Sequence, residues 1–267
     1  MEWSDGKGPL PRLWRHRALL GSLVARDLRT RYAGSAGGLF WAAVGPLLQI
    51  GILTIVFSYV LRVRFGGASD VPFAVTLAWG LFPWIGFQDG VLRGATALTD
   101  NGVLLKRMAF PPEVVLAQPV LSAAVQVVAG LTILGLLMPL LGAGLASTTP
   151  LCLIPLAIQV VFAIGVGWIL GVLHVYIRDT AQLAVAALQA WFYLTPIVYT
   201  VEAAPEALRT LLSLNPMVGI IESFRALALG QPLRWGALIW SAAAAGLALA
   251  IGARMLDRAR AEISDLV

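Results

Sequence analysis

Charged side chains vanish from two long stretches of this chain. None occurs from Tyr32 to Leu61, a run of 30 residues, and none from Val114 to Ile177, a run of 64. A helix needs about 20 apolar residues to cross the hydrocarbon core of a bilayer. The first run therefore predicts one crossing. The second predicts two, joined by the small and polar residues Gly142 to Pro150. Extending the same reading along the chain predicts six spanning helices, at residues 36–61, 72–93, 114–141, 151–175, 181–201 and 235–254. The fold class is all-α integral membrane.

Composition strengthens this picture. The chain is 59% hydrophobic and only 12% charged, with a mean hydropathy of +0.83. Soluble domains carry about 25% charged residues. Met1 to Arg31 is polar and basic, with no apolar core leading to a small-residue cleavage site, so no cleavable signal is expected. The excess of Lys and Arg is unevenly shared. With the N-terminus inside, 14 of the 19 fall on the cytoplasmic side and five outside. That bias predicts both termini inside and makes a membrane, not a nucleic acid, the reason for the basic balance.

Three segments outside the spans carry further information. In residues 10–32, Leu13, Trp14, Leu19, Leu20, Leu23, Val24 and Leu28 share one helical arc, with Arg15, Arg26 and Arg29 opposite. This predicts an amphipathic helix in the inner membrane interface, against lipid headgroups. In residues 98–113, Asp100 or Asn101 is placed to cap a short helix that Pro111-Pro112 ends. Val103, Leu104, Leu105, Met108 and Phe110 then lie outside the membrane beside Lys106 and Arg107, as a protein docking surface. Residues 202–234 are too apolar for a solvated loop and too charged and broken for a seventh span. Two short re-entrant helices, parted at Asn215-Pro216, are expected there, dipping in from outside and bordering a pathway.

The chemistry that is missing narrows the function. Gly6-Lys7 is followed by Gly8, so no phosphate-cradling Gly-x-x-x-x-Gly-Lys-Ser/Thr loop is present. Any ATP and Mg would be bound by another chain. Cys152 is alone, and His16 and His174 lack ligand-spaced partners, so no metal site is expected. No catalytic constellation is seen. Asp89 and Arg93 lie four apart on one helix face and can pair. No carboxylate falls at mid-span, which argues against a proton-coupled carrier. Gly165-x-Gly167 predicts close helix packing. Span five is unusual in carrying Gln189, Trp191, Phe192, Tyr193, Thr195 and Tyr199, with Pro196 predicted to kink it. Aromatic faces with polar handles suit sugar rings.

The ordered set of stretches resembles the permease subunit of type-2 bacterial ABC exporters, in the branch that exports O-antigen, teichoic acid and capsule polysaccharides. The likeness is carried by Arg26-Asp-Leu-Arg-Thr-Arg-Tyr32, Leu39-Phe-Trp41 and Leu81-Phe-Pro-Trp84. It continues through Asn101-Gly-Val-Leu-Leu-Lys-Arg107, Phe110-Pro-Pro-Glu113, Arg178-Asp179, Phe192 to Tyr199, Leu214-Asn-Pro216 and Ile220 to Arg225. Gly45-Pro46 and Tyr199-Thr200 depart from the family's frequent Asn-Pro and Tyr-Pro.

The resemblance implies a homodimer in the bacterial inner membrane, driven by two copies of a separate ATPase subunit and moving a lipid-linked glycan. It implies coupling to the ATPase through Asn101, Leu104, Leu105, Lys106, Arg107, Met108 and Phe110, and through Arg178 and Asp179. It implies a substrate conduit at Trp41, Tyr59, Trp191, Tyr193 and Tyr199. It also implies an outer gate including Glu206, Arg209, Asn215, Pro216, Glu222 and Arg225. A drug or small-lipid exporter of the same type is the alternative; a secondary carrier or a glycolipid enzyme fits the residues less well.

Overall fold

The computed structural model describes residues 8–32, 40–60, 72–108, 110–201 and 204–266. Among these there is no strand. In chain order the helices are α1 (Pro9–Arg15), α2 (Arg17–Tyr32), α3 (Phe40–Thr54), α4 (Phe73–Asp100), α5 (Gly102–Met108) and α6 (Pro112–Leu137). They continue with α7 (Leu153–Tyr176), α8 (Thr180–Tyr193), α9 (Glu206–Leu214), α10 (Pro216–Leu229) and α11 (Trp235–Leu266). A π-helical turn, Ile55–Val60, prolongs α3.

Three of these helices are long and apolar enough to cross a bilayer: α6 with its 3-10 extension, α7 with the 3-10 turn before it, and α11. Their outward faces carry Leu136, Leu140, Leu153, Ile239 and Leu247, all exposed, as hydrocarbon requires. α9 and α10 form a bent apolar pair, 91° apart. α3 and the π-helical turn after it together carry a shorter apolar helix, Val44–Ser58.

α4 is the hub, touching α3, α6, α7, α8 and α10. Its Trp79, Trp84 and Phe87 are among the most deeply buried side chains. Small residues let the neighbours close on it. A Cβ on Gly94 of α4 would meet the Cα of Gly167 on α7 at 3.4 Å, and one on Gly90 would meet the Cα of Val120 on α6 at 3.1 Å. Gly165 of α7 lies against the backbone of Ala248 and Leu249 in α11. The Gly165-x-Gly167 pair thus serves helix packing, as its spacing predicts.

Two helices run past their predicted spans, and two other expectations need correction. α4 runs beyond the predicted second span to Asp100, with Gly94, Ala95, Ala97 and Leu98 buried against the bundle. The predicted fifth span, 181–201, is not one helix. α8 stops at Tyr193, and residues 194–200 run on without helix. Pro196 has no N–H to continue the ladder, and Thr195 Oγ1 donates to the Trp191 carbonyl at 2.8 Å across the stop. The last helix runs on to Leu266, because Leu256, Ala259 and Ile263 keep an apolar stripe at helical spacing. Residues 10–32 form two helices broken at His16, not one. The break turns Trp14 away, 72% exposed, while Leu13, Leu19, Leu20, Leu23 and Val24 pack on the core.

Candidate functional site

α3, α4 and α8 enclose a cleft of about 680 Å³ on one side of the bundle. Gln49 comes from α3, Trp84, Gln88 and Asp89 from α4, and Gln189, Phe192 and Tyr193 from α8. The cleft is aromatic and amide-lined. Trp84 Nε1 donates to Gln88 Oε1 at 3.1 Å. The rings of Trp84 and Phe192 meet edge-on at 5.8 Å, and those of Phe192 and Tyr193 at 5.2 Å. Tyr193 is 69% exposed.

The conduit residues read from the sequence therefore separate. Tyr193 lines the cleft. Trp191 packs beside it against Phe87 and Phe162, with ring centroids 5.7 and 6.0 Å away. Tyr199 folds back so that its hydroxyl donates to the Tyr193 carbonyl at 3.0 Å. The side chains of Trp41 and Tyr59 lie outside the described residues. Gln49, Gln88 and Trp84 were not singled out by sequence reasoning as lining residues. The available signal was the occurrence of Gln within apolar helices.

Beside the cleft, Asp89 and Arg93 pair as their spacing predicts, Nη2 to Oδ2 at 2.7 Å. The pair is part of a larger net. Arg93 Nη1 reaches Asp27 of α2 at 3.2 Å, and its Nη2 donates to the Pro119 carbonyl of α6 at 3.0 Å. Arg31 approaches Asp27 at 3.4 Å and Asp89 at 3.6 Å. One guanidinium thus ties α2, α4 and α6 together.

The short helix α5 forms at the expected place, with a different arrangement. Asn101 stands at the junction of α4 and α5. It closes α4, donating from Nδ2 to the Ala97 carbonyl at 2.9 Å. Of the apolar residues expected outside, Val103 is 68% exposed. Leu105 turns inward and is buried, and Phe110 packs against the core. Helical periodicity explains the split, since residues two apart face different sides. Lys106, Arg178 and Asp179 are exposed. The side chains of Leu104, Arg107 and Met108 lie outside the described ones. Directly after α5, Glu113 is buried with Arg12 Nε at 3.2 Å and Arg260 Nη2 at 3.8 Å, while Arg12 Nη2 reaches Asp257 at 2.6 Å. Sequence reasoning missed this tie between α1, α6 and α11, because its members are far apart in the chain.

At the other end, the break at Asn215-Pro216 is where the sequence places it. Pro216 takes the first position of α10, where its missing N–H is harmless. Asn215 caps α10, its Oδ1 accepting from the Met217 N–H at 3.0 Å. Arg209 Nε donates to the Ala204 carbonyl at 2.8 Å, and Glu222 pairs with Arg234 at 3.4 Å. Glu206 is exposed in the first turn of α9. Residues 202–203 lie outside the described residues. Arg225, counted among the outer charges from sequence, is instead buried. Its guanidinium donates to the carbonyls of Thr76 at 3.0 Å, Pro196 at 2.7 Å and Ile197. It holds the non-helical stretch after α8 against α4. The cause is local: residues 194–200 leave carbonyls without helical partners, and Arg supplies five N–H donors.

The family profile described as ABC-2 type transporter matches residues 18–229, which covers α2 through α10. The chain belongs to the ABC-2 type transporter membrane family. Among relatives of this ABC-2 chain is the O-antigen export system permease protein RfbA of Myxococcus xanthus, 33% identical over 222 residues, covering 80% of this chain and 82% of that protein. The protein of the same name from Klebsiella pneumoniae is 27% identical, covering 81% and 82%. The polysialic acid transport protein KpsM of Escherichia coli is 24% identical, covering 76% and 78%. Relatedness over three quarters or more of the chain, together with several apolar helices, makes it a multi-pass membrane protein of the ABC-2 permease type.

Proposed function

We propose that this chain is the permease of an exporter that carries a lipid-linked polysaccharide of O-antigen type across the bacterial inner membrane. Similarity to the O-antigen permease of Myxococcus xanthus over 80% of this chain carries the reading. The amide and aromatic cleft between α3, α4 and α8 supports it, since sugars offer apolar C–H faces and hydroxyl edges. α3, α4, α6, α7, α8 and α11 are the six crossings, with both termini inside, and α9 and α10 are re-entrant at the outer mouth. Two copies form the conduit by facing their clefts. Tyr193 is the sugar contact among the aromatic candidates, and Trp191 and Tyr199 support its wall.

ATP and Mg belong to a separate ATPase subunit, two copies of which dock below α5 and the turn at Arg178-Asp179. The exposed Val103, Lys106, Arg178 and Asp179 support that docking face. A drug or small-lipid exporter is the second reading, which a narrow apolar cleft would favour over one that holds three glutamines.

The test pairs purification with export. Tagged protein is expected to bring down an ATPase subunit. Charge reversal at Lys106 and Arg107 is expected to abolish surface glycan while the permease stays in the membrane. Wild-type surface glycan in that variant, with no ATPase recovered, refutes the reading.

A further inference from the structure

The cleft presents a specific chemistry. Gln49, Gln88 and Gln189 reach it from three different helices. An amide in a bilayer-spanning helix is unfavourable unless it meets a hydrogen-bonding partner or water. Three that converge on one void therefore mark a path for a hydroxylic or aqueous occupant. Gln88 is also oriented. Its Oε1 is engaged by the Trp84 indole at 3.1 Å, which leaves its NH₂ as the free, donating end.

Charge is as telling. Among the described residues lining the cleft, Asp89 is the one charged group. Its carboxylate is already held by Arg93, Nε at 3.0 Å and Nη2 at 2.7 Å. Arg93 in turn is engaged by Asp27 and the Pro119 carbonyl. Arg31 also reaches Asp89 at 3.6 Å and Asp27 at 3.4 Å, so two guanidiniums balance two carboxylates and these residues present no net positive charge to the cleft. A polyanion entering such a space would lose its hydration without gaining a counter-charge, which is strongly unfavourable at membrane depth. A neutral sugar polymer meets amide donors and acceptors that its hydroxyls match, and aromatic faces for its C–H surfaces.

We infer that the cleft selects neutral glycans and rejects acidic ones, with Gln49, Gln88 and Gln189 as the specificity-determining residues. This rests on the reading of the chain as a polysaccharide permease. It separates the chain from its relative the polysialic acid transport protein, whose named cargo is acidic.

The test uses the full permease with its own ATPase in cells lacking another glycan exporter. Two glycans are built on the same lipid carrier, one of neutral hexoses and one with a carboxylate in every repeat. Surface display of the neutral polymer is expected, with the acidic one reduced about tenfold or more by the uncompensated charge. Gln88→Lys or Gln49→Lys is expected to raise acidic display and lower neutral display. Equal display of both polymers by the wild-type protein overturns the inference and leaves the polysaccharide reading standing. Display of neither overturns the polysaccharide reading, and the inference with it. The wild-type comparison needs no variant, so a misfolded substitution does not decide the outcome.

Discussion

Asn215 holds Trp191: the indole Nε1 of the last turn of α8 donates to the Asn215 Oδ1 at 2.9 Å. The same side chain donates from Nδ2 to the Leu194 carbonyl at 2.9 Å and to Thr195 Oγ1 at 3.0 Å. Its Oδ1 also caps α10 through the Met217 N–H. One amide therefore joins the end of α8 to the bend between α9 and α10. An Asn has two donors and one acceptor oxygen, and all are used here.

Asn215→Ala is expected to destabilise the protein by about 2–4 kcal/mol, combining a lost cap with unsatisfied partners. Asn215→Asp keeps the cap and the Trp191 acceptor but sets an oxygen against the Leu194 carbonyl, and should fall between. Thermal unfolding in detergent checks the order. Equal midpoints for Asn215→Ala and wild type would remove this joint.

Arg225 is buried and donates to three backbone carbonyls. Arg225→Met should lower stability by about 3 kcal/mol or more, because it strands those carbonyls. Arg225→Lys should rescue little, since an ammonium is a point donor without the planar fork. Gly80 adjoins this group, and a Cβ there would lie 2.5 Å from Nη2. Gly80→Ala is expected to shift the midpoint the same way by about 1–3 kcal/mol. Unchanged protease resistance in Arg225→Met would contradict the anchor.

Glu113 is 1% exposed and contacts Arg12 and Arg260. Removing one member of a buried charge group leaves the other uncompensated, so Glu113→Ala should destabilise by about 3–5 kcal/mol. Arg12→Ala should have a smaller effect, since Arg260 remains. The double variant Arg12→Ala with Glu113→Ala should lose less than the sum of the singles. Additive midpoint shifts would show that the two residues do not interact.

Glu206 is exposed on α9, and the single native thiol, Cys152, is buried. In intact cells Glu206→Cys is expected to react with an impermeant thiol reagent added from outside, and the parent protein is not. Labelling that appears only after lysis would place the bent pair on the inner side.

Hydrophobic patterning by itself determined the membrane class, the approximate position of each helix and the break at Asn215-Pro216. These are local properties: charge-free runs, helix period and the missing N–H of proline act on neighbouring residues, so they can be read in order along the chain. The early end of α8 at Tyr193 was misread because residues 194–200 are as apolar as a span, and only the carbonyls claimed by Arg225 reveal that they are unwound. α11 runs past the predicted span, with Leu256, Ala259 and Ile263 buried in contacts that no local pattern announces. Only the tertiary structure decided that Arg225 is an anchor and not an outer charge, that Leu105 turns inward while Val103 does not, and that Gln49, Gln88 and Gln189 share one cleft. Each depends on residues from different helices meeting in space, and the pairing of distant segments leaves no periodic trace in either one.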